Sequence, residues 1–434
     1  MDRKTLKTVT LGCKVNQYET EFLREGLAQL GYREACDGET ADLCLVNTCT
    51  VTAESDRKSR KAIRHLAKEN PGTRIIVMGC YATRRPEEAA ALPGVVEVVT
   101  DKRELPALLE RMGLPDPPEG ISTFGSRHRA YVKIQDGCRM NCSYCIIPKA
   151  RPVLTSRQPA EVLNEISRLV ENQYREIVLT GIHLGHYGVD LEDNTPELAG
   201  LTRRIVDLDG DFRVRISSIE AAEATPELLD VMAAHPKRIC PHLHLSMQSG
   251  SNTVLQRMCR RYTAREFIDR CRRVTDSLDN PALTTDVIVG FPGETESEFE
   301  ETCRVAEQIG FSKIHIFRFS PRKGTSAATM PGHVPGDVQR KRFERLAEIV
   351  KPLRERFFRS LLGRRLQVLV ESEIEDEEAG GLIDITGSSR AHPTRIGTSA
   401  RYVPVELSDM NGEPGNLVEV RAERITDGRI VTTS

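Results

Sequence analysis

The first part of the chain alternates strand-like apolar runs with helix-like stretches. Strands are predicted at Thr8–Gly12, Leu43–Thr48, Arg74–Gly79 and Val95–Thr100. Helices are predicted at Tyr18–Leu30, Glu54–Lys68, Pro86–Ala91 and Glu104–Met112. A regular alternation of this kind is typical of a parallel sheet with helices on both faces. The pattern therefore predicts a doubly wound α/β domain over residues 1–115.

The alternation resumes after a Pro- and Gly-rich linker at 115–120. Strands are predicted at Tyr131–Gln135, Ile177–Thr180, Phe212–Ser217, His242–Met247, Leu283–Val289 and Lys313–Phe319. Helical segments such as Ala160–Glu171 and Ala264–Asp276 separate them. Six such units predict an open or partial (β/α)6 barrel, whose functional site lies at the carboxyl ends of its strands.

The last part of the chain changes its pattern. A long helix is predicted over Asp337–Arg365, where Lys and Arg outnumber Asp and Glu, and it completes a second domain over residues 125–362. Alternating strands follow at Leu366–Val370, Arg401–Val405, Leu417–Ala422 and Arg429–Thr432. They predict a small five-stranded β barrel over residues 366–434. The acidic run at 371–378 is interpreted as a solvated hairpin tip.

Composition narrows the class of protein. A hydrophobic fraction of 39% and a charged fraction of 29% are typical of a soluble globular chain. No apolar run approaches the roughly 20 residues that span a membrane, and no signal-peptide pattern opens the chain, so a cytoplasmic location and no membrane partner are expected. The net charge of -2 means that any surface for nucleic acid must be a local patch. Twelve cysteines in a cytosolic chain favour metal or redox roles over disulfides.

Three cysteines stand close together after the first predicted barrel strand. Cys138, Cys142 and Cys145 follow the spacing C-x3-C-x2-C. Three thiolates on one short loop suit three irons of a [4Fe–4S] cube, and without a fourth cysteine one iron stays open to a ligand that is not protein. A zinc knuckle normally supplies a fourth Cys or His at short spacing. The spacing therefore indicates a reactive cluster.

A second set of cysteines is far apart in sequence. Cys13, Cys49 and Cys80 each follow a predicted strand of the first domain. Because the carboxyl ends of parallel strands share one edge of a sheet, the three thiols are expected to meet there. Buried cysteines are common at strand ends, but three in the same position favour a second cluster. The other six are interpreted as core or helix residues: Cys36, Cys44, Cys240, Cys259, Cys271 and Cys303.

The central part resembles the radical S-adenosylmethionine superfamily, and nearly the whole chain resembles the methylthiotransferase family within it. The resemblance rests on the segments around the six cysteines and on two barrel segments; their ranges are 11–21, 47–52, 79–82, 133–138, 244–250 and 285–295. The tail is similar to the TRAM module of that family. Among the family's branches, the run that follows Cys13, Lys14 to Glu21, resembles the branch that acts on N6-threonylcarbamoyladenosine at position 37 of tRNA.

The resemblance implies two [4Fe–4S] clusters and S-adenosylmethionine as cofactors. Cys138, Cys142 and Cys145 would hold the cluster that binds S-adenosylmethionine and cleaves it reductively, which yields a 5′-deoxyadenosyl radical that abstracts hydrogen from C2 of the adenine. Cys13, Cys49 and Cys80 would hold an auxiliary cluster that carries the sulfur, and a second S-adenosylmethionine would supply the methyl group. The implied partners are the tRNA anticodon loop, a one-electron reductant and a sulfur donor.

Polar residues at the ends of the barrel strands are candidates for binding S-adenosylmethionine by their position alone. These are Thr180, Gly181, Arg215, Ser217, Ser218, Gln248 and Asp286. For each of them a structural role is an equally good interpretation. His183 and His186 are interpreted as loop residues and not as ligands. His242 and His244 share one strand face and are expected to pack or to join a polar network.

Two basic stretches are candidates for binding RNA. The first opens the helix that follows Cys49 and consists of Arg57, Lys58, Arg60, Lys61 and Arg64. The second is the long helix at 337–365. For each stretch the alternative interpretation is a solvated face, which is the usual role of a charge run. The sequence departs from the family at 149–152, where proline and not glycine follows Arg151, and in the tail, where acids outnumber bases.

Other functions stay open at this stage. Within the family, the substrate may be isopentenyladenosine at position 37 or an aspartate of a ribosomal protein. Outside enzymes, a non-catalytic RNA-binding protein stabilised by a metal would also use cysteines and basic patches.

Overall fold

The first domain is a five-stranded parallel sheet in the order β2-β1-β3-β4-β5. The computed structural model describes residues 4–125, 127–191, 197–373, 395–407 and 412–432. The strands are β1 Thr5–Thr10, β2 Arg33–Glu34, β3 Leu43–Thr48, β4 Arg74–Gly79 and β5 Val95–Val98. The helices are α1 Lys14–Gln29, α2 Ala53–Glu69, α3 Cys80–Arg84, α4 Pro86–Ala90 and α5 Leu105–Arg111.

Both faces of this sheet are covered, as its apolar strands require. In β3, Leu43 and Leu45 pack in the same core as α1. The alternate residues Cys44 and Val46 pack in a second core with Ile63 of α2. Successive side chains of a strand point to opposite faces, so a strand that is apolar throughout needs helices on both sides. The predicted doubly wound sheet is confirmed.

In the described residues, the central region contains eight strands arranged as two sheets of four. One sheet has the order β7-β6-β8-β9 and the other β10-β11-β12-β13, with only β7 antiparallel to its neighbour. The strands are β6 Arg129–Asp136, β7 Thr155–Ser156, β8 Glu176–Gly181, β9 Arg213–Ile216, β10 Ser218–Ile219, β11 His242–Leu245, β12 Ala282–Val289 and β13 Lys313–Arg318. The helices are α6 Ile147–Ala150, α7 Pro159–Glu171, α8 Leu198–Val206, α9 Pro226–Ala234, α10 Asn252–Arg257, α11 Ala264–Ser277 and α12 Glu296–Ile309.

The strand predicted at Phe212–Ser217 is divided at Ser217. The part before Ser217, β9, pairs with β8, and the chain after Ser217 continues beyond the predicted limit as β10, which pairs with β11. The two sheets therefore follow one another around a partial barrel with six strand positions, as predicted. The barrel shares its core with the first domain, since Tyr18 of α1, Val132 of β6 and Val162 of α7 belong to one buried cluster.

The C-terminal region begins with the basic helix α13, Gly336–Arg359, which ends six residues before its predicted limit at Arg365. It leads into a sheet of order β17-β14-β15-β16-β19-β18. The strands are β14 Arg365–Glu373, β15 Arg395–Ser399, β16 Pro404–Leu407, β17 Leu417–Arg421, β18 Arg424–Thr426 and β19 Arg429–Thr432.

Among the described residues this small sheet has six strands, so the prediction of five was wrong. The three-residue strand β18 forms a hairpin with β19 through Asp427 and Gly428, both at positive φ. A strand so short shows no clear alternation in the sequence. Of the predicted hairpin tip at 371–378, residues 371–373 belong to β14, and residues 374–378 lie outside the described residues. Among the residues described here, no helix is both long enough and apolar enough to cross a bilayer.

Candidate active site

The loop triad, Cys138, Cys142 and Cys145, lies between β6 and α6. Backbone contacts fix the loop: the amide of Cys145 donates to the carbonyl of Cys142 at 3.0 Å, and the amide of Ser143 donates to the carbonyl of Met258 at 3.0 Å. Gly137 has φ 79°, and a Cβ there would lie 1.9 Å from the carbonyl oxygen of Val153. Only glycine allows the chain to turn at this point.

Two side chains from distant elements contact the loop triad. The Arg260 guanidinium donates to Cys142 Sγ at 3.2 Å and also pairs with Glu220. His183 Nδ1 lies 3.6 Å from Cys138 Sγ, and its Nε2 lies 2.5 Å from Glu223 Oε1. Burial raises the pKa of Cys142 and raises that of Cys145 to about 12. The unbound thiols therefore hold their protons, and a metal must displace them.

The sheet-edge triad consists of Cys13, Cys49 and Cys80, which follow neighbouring strands at the carboxyl edge of the first sheet. Cys13 follows β1, Cys49 follows β3, and Cys80 begins α3 directly after β4. Gly12 has φ 108°, and a Cβ there would lie 3.3 Å from Cys49 Sγ, so Cys13 and Cys49 are close neighbours. Cys13 is exposed toward the cavity, but protein atoms surround its thiol on the other sides. This burial raises the pKa of the thiol to about 11.

A buried arginine joins the sheet-edge triad to the barrel. The Arg151 Nε donates to Cys80 Sγ at 3.3 Å, while its other nitrogens bind Glu19 at 2.7 Å, Asp136 at 2.8 Å and Asn16 at 2.9 Å. Burial acts to raise the pKa of Asp136, but Arg151 and Lys133 outweigh it and hold that pKa well below its usual range. The sequence identified Arg151 only as part of an unusual loop.

The spacing of the thiols argues against a single metal ion at either triad. Among the described Cys, His, Asp and Glu side chains, the only group of three whose ligand atoms all lie within 4.8 Å of one another is His183, His186 and Glu223. A tetrahedral zinc site with Zn–S bonds of about 2.3 Å would place its sulfurs roughly 3.8 Å apart. Sulfurs farther apart fit a polynuclear cluster, in which each thiolate binds a different iron.

A cavity of about 740 Å³ lies between the sheet-edge triad and the barrel. Cys13, Ser217, Ser218 and Asp286 all line it. Three other predicted cofactor residues do not. Thr180 is buried, Gly181 packs against Gln135, and the amide of Gln248 donates to the carbonyl of Asp286 at 2.8 Å.

Arg215 does not fit its predicted role as a cofactor contact. Its side chain is 1% exposed, pairs with Glu176 at 3.0 Å and donates to the carbonyls of Ser399 and Ala400. It therefore anchors the C-terminal sheet to the barrel. Its position at a strand end suggested the cofactor role, but the apposed backbone of the C-terminal sheet takes up its donors.

The histidines differ from one another in their roles. His242 and His244 both contact Thr284 Oγ1, at 3.2 Å and 3.0 Å, which confirms the predicted polar network. His183, interpreted from the sequence as a loop residue and not as a ligand, has its ring between Cys138 and Glu223. Its place after β8, at the same barrel edge as the loop triad, is the signal that sequence reasoning missed. Of the six other cysteines, Cys36 and Cys259 are exposed and the rest are buried.

The predicted RNA-binding residues lie on α2. Arg57, Lys58, Lys61 and Arg64 are exposed, and Arg60 is partly buried with its guanidinium 5.8 Å from the centre of the Tyr81 ring. Arg57 pairs with Glu54 on the same helix. Because α2 begins just after Cys49, this basic surface lies next to the sheet-edge triad.

Comparisons with known proteins place both triads within described families. Residues 132–306 match the Radical SAM superfamily, and residues 5–101 match the uncharacterized protein family UPF0004. The chain is 39% identical over 430 residues to the threonylcarbamoyladenosine tRNA methylthiotransferase MtaB of Bacillus subtilis, which covers 95% of this chain and 92% of that protein. It is 33% identical to the tRNA-2-methylthio-N(6)-dimethylallyladenosine synthase of Corynebacterium urealyticum, over 99% of this chain and 81% of that protein.

Solved structures resemble the fold at lower identity. The radical S-adenosylmethionine methyltransferase TsrM from Kitasatospora setae, solved with cobalamin and a [4Fe-4S] cluster bound, matches with a TM-score of 0.53 at 14% identity. The match covers 76% of this chain and 77% of that chain. Such a match shows a shared fold.

Proposed function

We propose that this chain, which belongs to the methylthiotransferase family of radical S-adenosylmethionine enzymes, is a tRNA methylthiotransferase that places a methylthio group on C2 of N6-threonylcarbamoyladenosine at position 37. The identity to relatives of that name supports the tRNA substrate. The observation that carries the proposal is the cavity that Cys13 lines together with Ser217 and Asp286 of the barrel. A base in that cavity is within reach of the sheet-edge triad and of the barrel at once.

The two triads have separate tasks in this proposal. The loop triad holds the [4Fe–4S] cluster that binds S-adenosylmethionine, and the sheet-edge triad holds the auxiliary [4Fe–4S] cluster. When bound, the clusters and S-adenosylmethionine supply the one-electron chemistry, the sulfur and the methyl group. The sulfur spacing of both triads supports clusters over single ions, and so disfavours a zinc-stabilised RNA-binding protein.

The protein's own side chains orient these groups. Arg151 and Arg260 each donate a hydrogen bond to one thiol, which fixes the direction of that thiol. Thr180, Gly181, Ser217, Ser218, Gln248 and Asp286 stay as proposed contacts for S-adenosylmethionine, without Arg215. The barrel excludes water from the reacting atoms, as a radical reaction requires.

The substrate must be unstacked to reach the cavity, because position 37 lies within the anticodon loop. The basic surface of α2, beside the sheet-edge triad, is placed to hold the backbone phosphates of that loop. A one-electron reductant and a sulfur donor are the further partners of the reaction, which takes place with tRNA in the cytoplasm.

Mass spectrometry of tRNA nucleosides tests the proposal. A deletion strain should lose 2-methylthio-N6-threonylcarbamoyladenosine and accumulate the form without sulfur. The wild-type gene should restore it, and the Cys13→Ala or Cys138→Ala variant should not. Persistence of the methylthio nucleoside in a strain with no second enzyme of this kind would refute the substrate. Loss of the methylthio form of isopentenyladenosine instead would assign the other tRNA branch.

A further inference from the structure

Lys14 occupies an unusual position in the cavity. It begins α1 directly after Cys13, is partly buried, and lines the same cavity of about 740 Å³ as Ser217 and Asp286. Within the described ranges its ammonium forms no hydrogen bond and no salt bridge. A cation that is partly withdrawn from water without a partner is costly, so this position favours an anionic ligand.

The charges around the cavity also favour an anionic ligand. Among the described residues, its lining includes the cations Lys14, Lys313, Arg354 and Arg401, with Asp286 as the one carboxylate. Two of these cations are already engaged, since Arg354 donates to the carbonyl of Gly428 and Arg401 binds Asp279. Lys313 is exposed. Among the described lining residues, Lys14 is therefore the partly buried cation, directly after Cys13, that is left to bind a ligand.

Polar atoms without partners also occur at this cavity. Ser217 Oγ and His242 Nδ1 have no hydrogen-bond partner among the described residues, although the two side chains are 7% and 3% exposed. Both residues line the cavity, so its wall carries polar groups. The aromatic rings of Phe317, Phe358 and Tyr402 line the same space and give it an apolar wall.

We propose that this cavity binds the N6-carbamoyl amino acid of the substrate adenosine and that Lys14 binds its carboxylate. The proposal rests on the function proposed above and names the group that selects the substrate. C2 and N6 of adenine both lie on the Watson–Crick edge, so a substituent on N6 extends beside the atom that receives sulfur. An isopentenyl group at N6 has no charge and leaves Lys14 unpaired, which disfavours that nucleoside.

Equilibrium binding of three anticodon stem-loops of one sequence tests the proposal. One carries N6-threonylcarbamoyladenosine, the second carries its methyl ester, in which the carboxylate charge is removed, and the third carries isopentenyladenosine. Fluorescence anisotropy at fixed salt, on the cluster-loaded protein without reductant, gives each Kd. The wild type should bind the acid about tenfold or more tightly than the ester, as a charge-assisted contact predicts.

Variants assign that preference to one side chain. Lys14→Gln should bring the ratio of the two affinities close to one, and Lys14→Arg should keep most of it. Lys313→Gln, at the exposed part of the cavity, should weaken acid and ester by the same factor. A wild-type ratio near one, or a Lys14→Gln variant that keeps the wild-type ratio, would overturn the proposal.

Turnover of the same RNAs separates this proposal from the function it rests on. If the wild type methylthiolates the acid-bearing RNA while Lys14→Gln keeps the wild-type preference, only the role of Lys14 fails. If the wild type methylthiolates the isopentenyl RNA and not the acid, the proposed function fails. The comparison of acid with ester in the wild type holds even if Lys14→Gln does not fold.

Discussion

The two cysteine triads are assembled in different ways. The loop triad spans Cys138 to Cys145, and local backbone hydrogen bonds fix its shape. The sheet-edge triad spans Cys13 to Cys80, and its thiols meet only because β1, β3 and β4 are neighbouring parallel strands. The first site is a property of one loop, whereas the second is a property of a folded sheet.

A second difference concerns the arginine that each triad contacts. Arg260, which donates to Cys142, belongs to the same barrel as its triad. Arg151, which donates to Cys80, comes from the barrel to a triad of the other domain. Docking of the two domains therefore completes the sheet-edge site, whereas the loop site is complete within the barrel.

The largest expected effect is a separation of activities by cysteine replacement. Replacement of the three loop cysteines by alanine should reduce reductive cleavage of S-adenosylmethionine by roughly a thousandfold or more, because the cluster that binds it is lost. Replacement of Cys13, Cys49 and Cys80 should spare cleavage and stop sulfur insertion. Liquid chromatography with mass spectrometry of 5′-deoxyadenosine and of the nucleoside product measures both.

Iron content is the control for that separation. The reconstituted wild type should hold about eight irons per chain and each triple variant about four. Replacement of the exposed Cys36 by serine should leave the iron content unchanged. If both triple variants stay folded and lose cleavage equally, the two triads do not have separate tasks.

Loss of the interdomain arginine should produce the next largest effect. Arg151→Met leaves the carboxylates of Glu19 and Asp136 buried without their main partner, which should lower the free energy of unfolding by about 3–5 kcal/mol. Urea denaturation of the metal-free chain measures this change. Arg103→Met, which breaks the exposed pair with Asp101, is the matched control and should cost less than about 1 kcal/mol.

The pH dependence of stability follows from the same contact, with a smaller effect. The pKa of Asp136 is lowered in the folded chain, so its contribution to stability is full above the unfolded carboxyl pKa of about 4 and is lost as the pH falls below it. In the Arg151→Met variant the free energy of unfolding should fall less steeply with decreasing pH, because Asp136 then takes up its proton at higher pH. Urea titrations of the metal-free chain from about pH 6 to pH 3 compare the two slopes; equal slopes would contradict the assignment.

The sequence predicted the cysteines better than the residues around them. A parallel sheet brings its strand ends to one edge, so Cys13, Cys49 and Cys80 were predictable from the strand pattern alone. Arg151 and Arg260 were not, because a hydrogen bond from a remote arginine to a thiol leaves no periodic signal. Arg215 was misassigned for a related reason, since the backbone that binds it belongs to the C-terminal sheet. Local pattern predicts an element, but tertiary contact decides what its side chains bind.

Replacement of the two arginines by glutamine should shift the reduction potentials of the two clusters separately. Loss of a hydrogen bond and of a positive charge beside a cluster thiolate makes reduction of that cluster less favourable. Its reduction potential should fall by on the order of 60 mV, which corresponds to about 1.4 kcal/mol for one electron. Arg260→Gln should lower the potential at the loop triad and leave the other unchanged, and Arg151→Gln should do the reverse. Redox titration followed by electron paramagnetic resonance distinguishes the two, and a shift of both potentials in either variant would contradict the separation.

The smallest expected effect concerns the side of the molecule that meets RNA. Lys58 and Lys61 are exposed on α2, the helix that follows Cys49 of the sheet-edge triad. Reversal of both charges to glutamate should weaken RNA binding about three- to tenfold and flatten the dependence of log K on log salt by one to two units, because phosphate contacts release counterions. Reversal of Arg265 and Arg272, which are 90% and 60% exposed on α11, is the matched control for net charge. If both double variants weaken binding equally, the total charge of the protein and not the α2 surface attracts the RNA. The proposal that the anticodon loop docks beside the sheet-edge triad would then be contradicted.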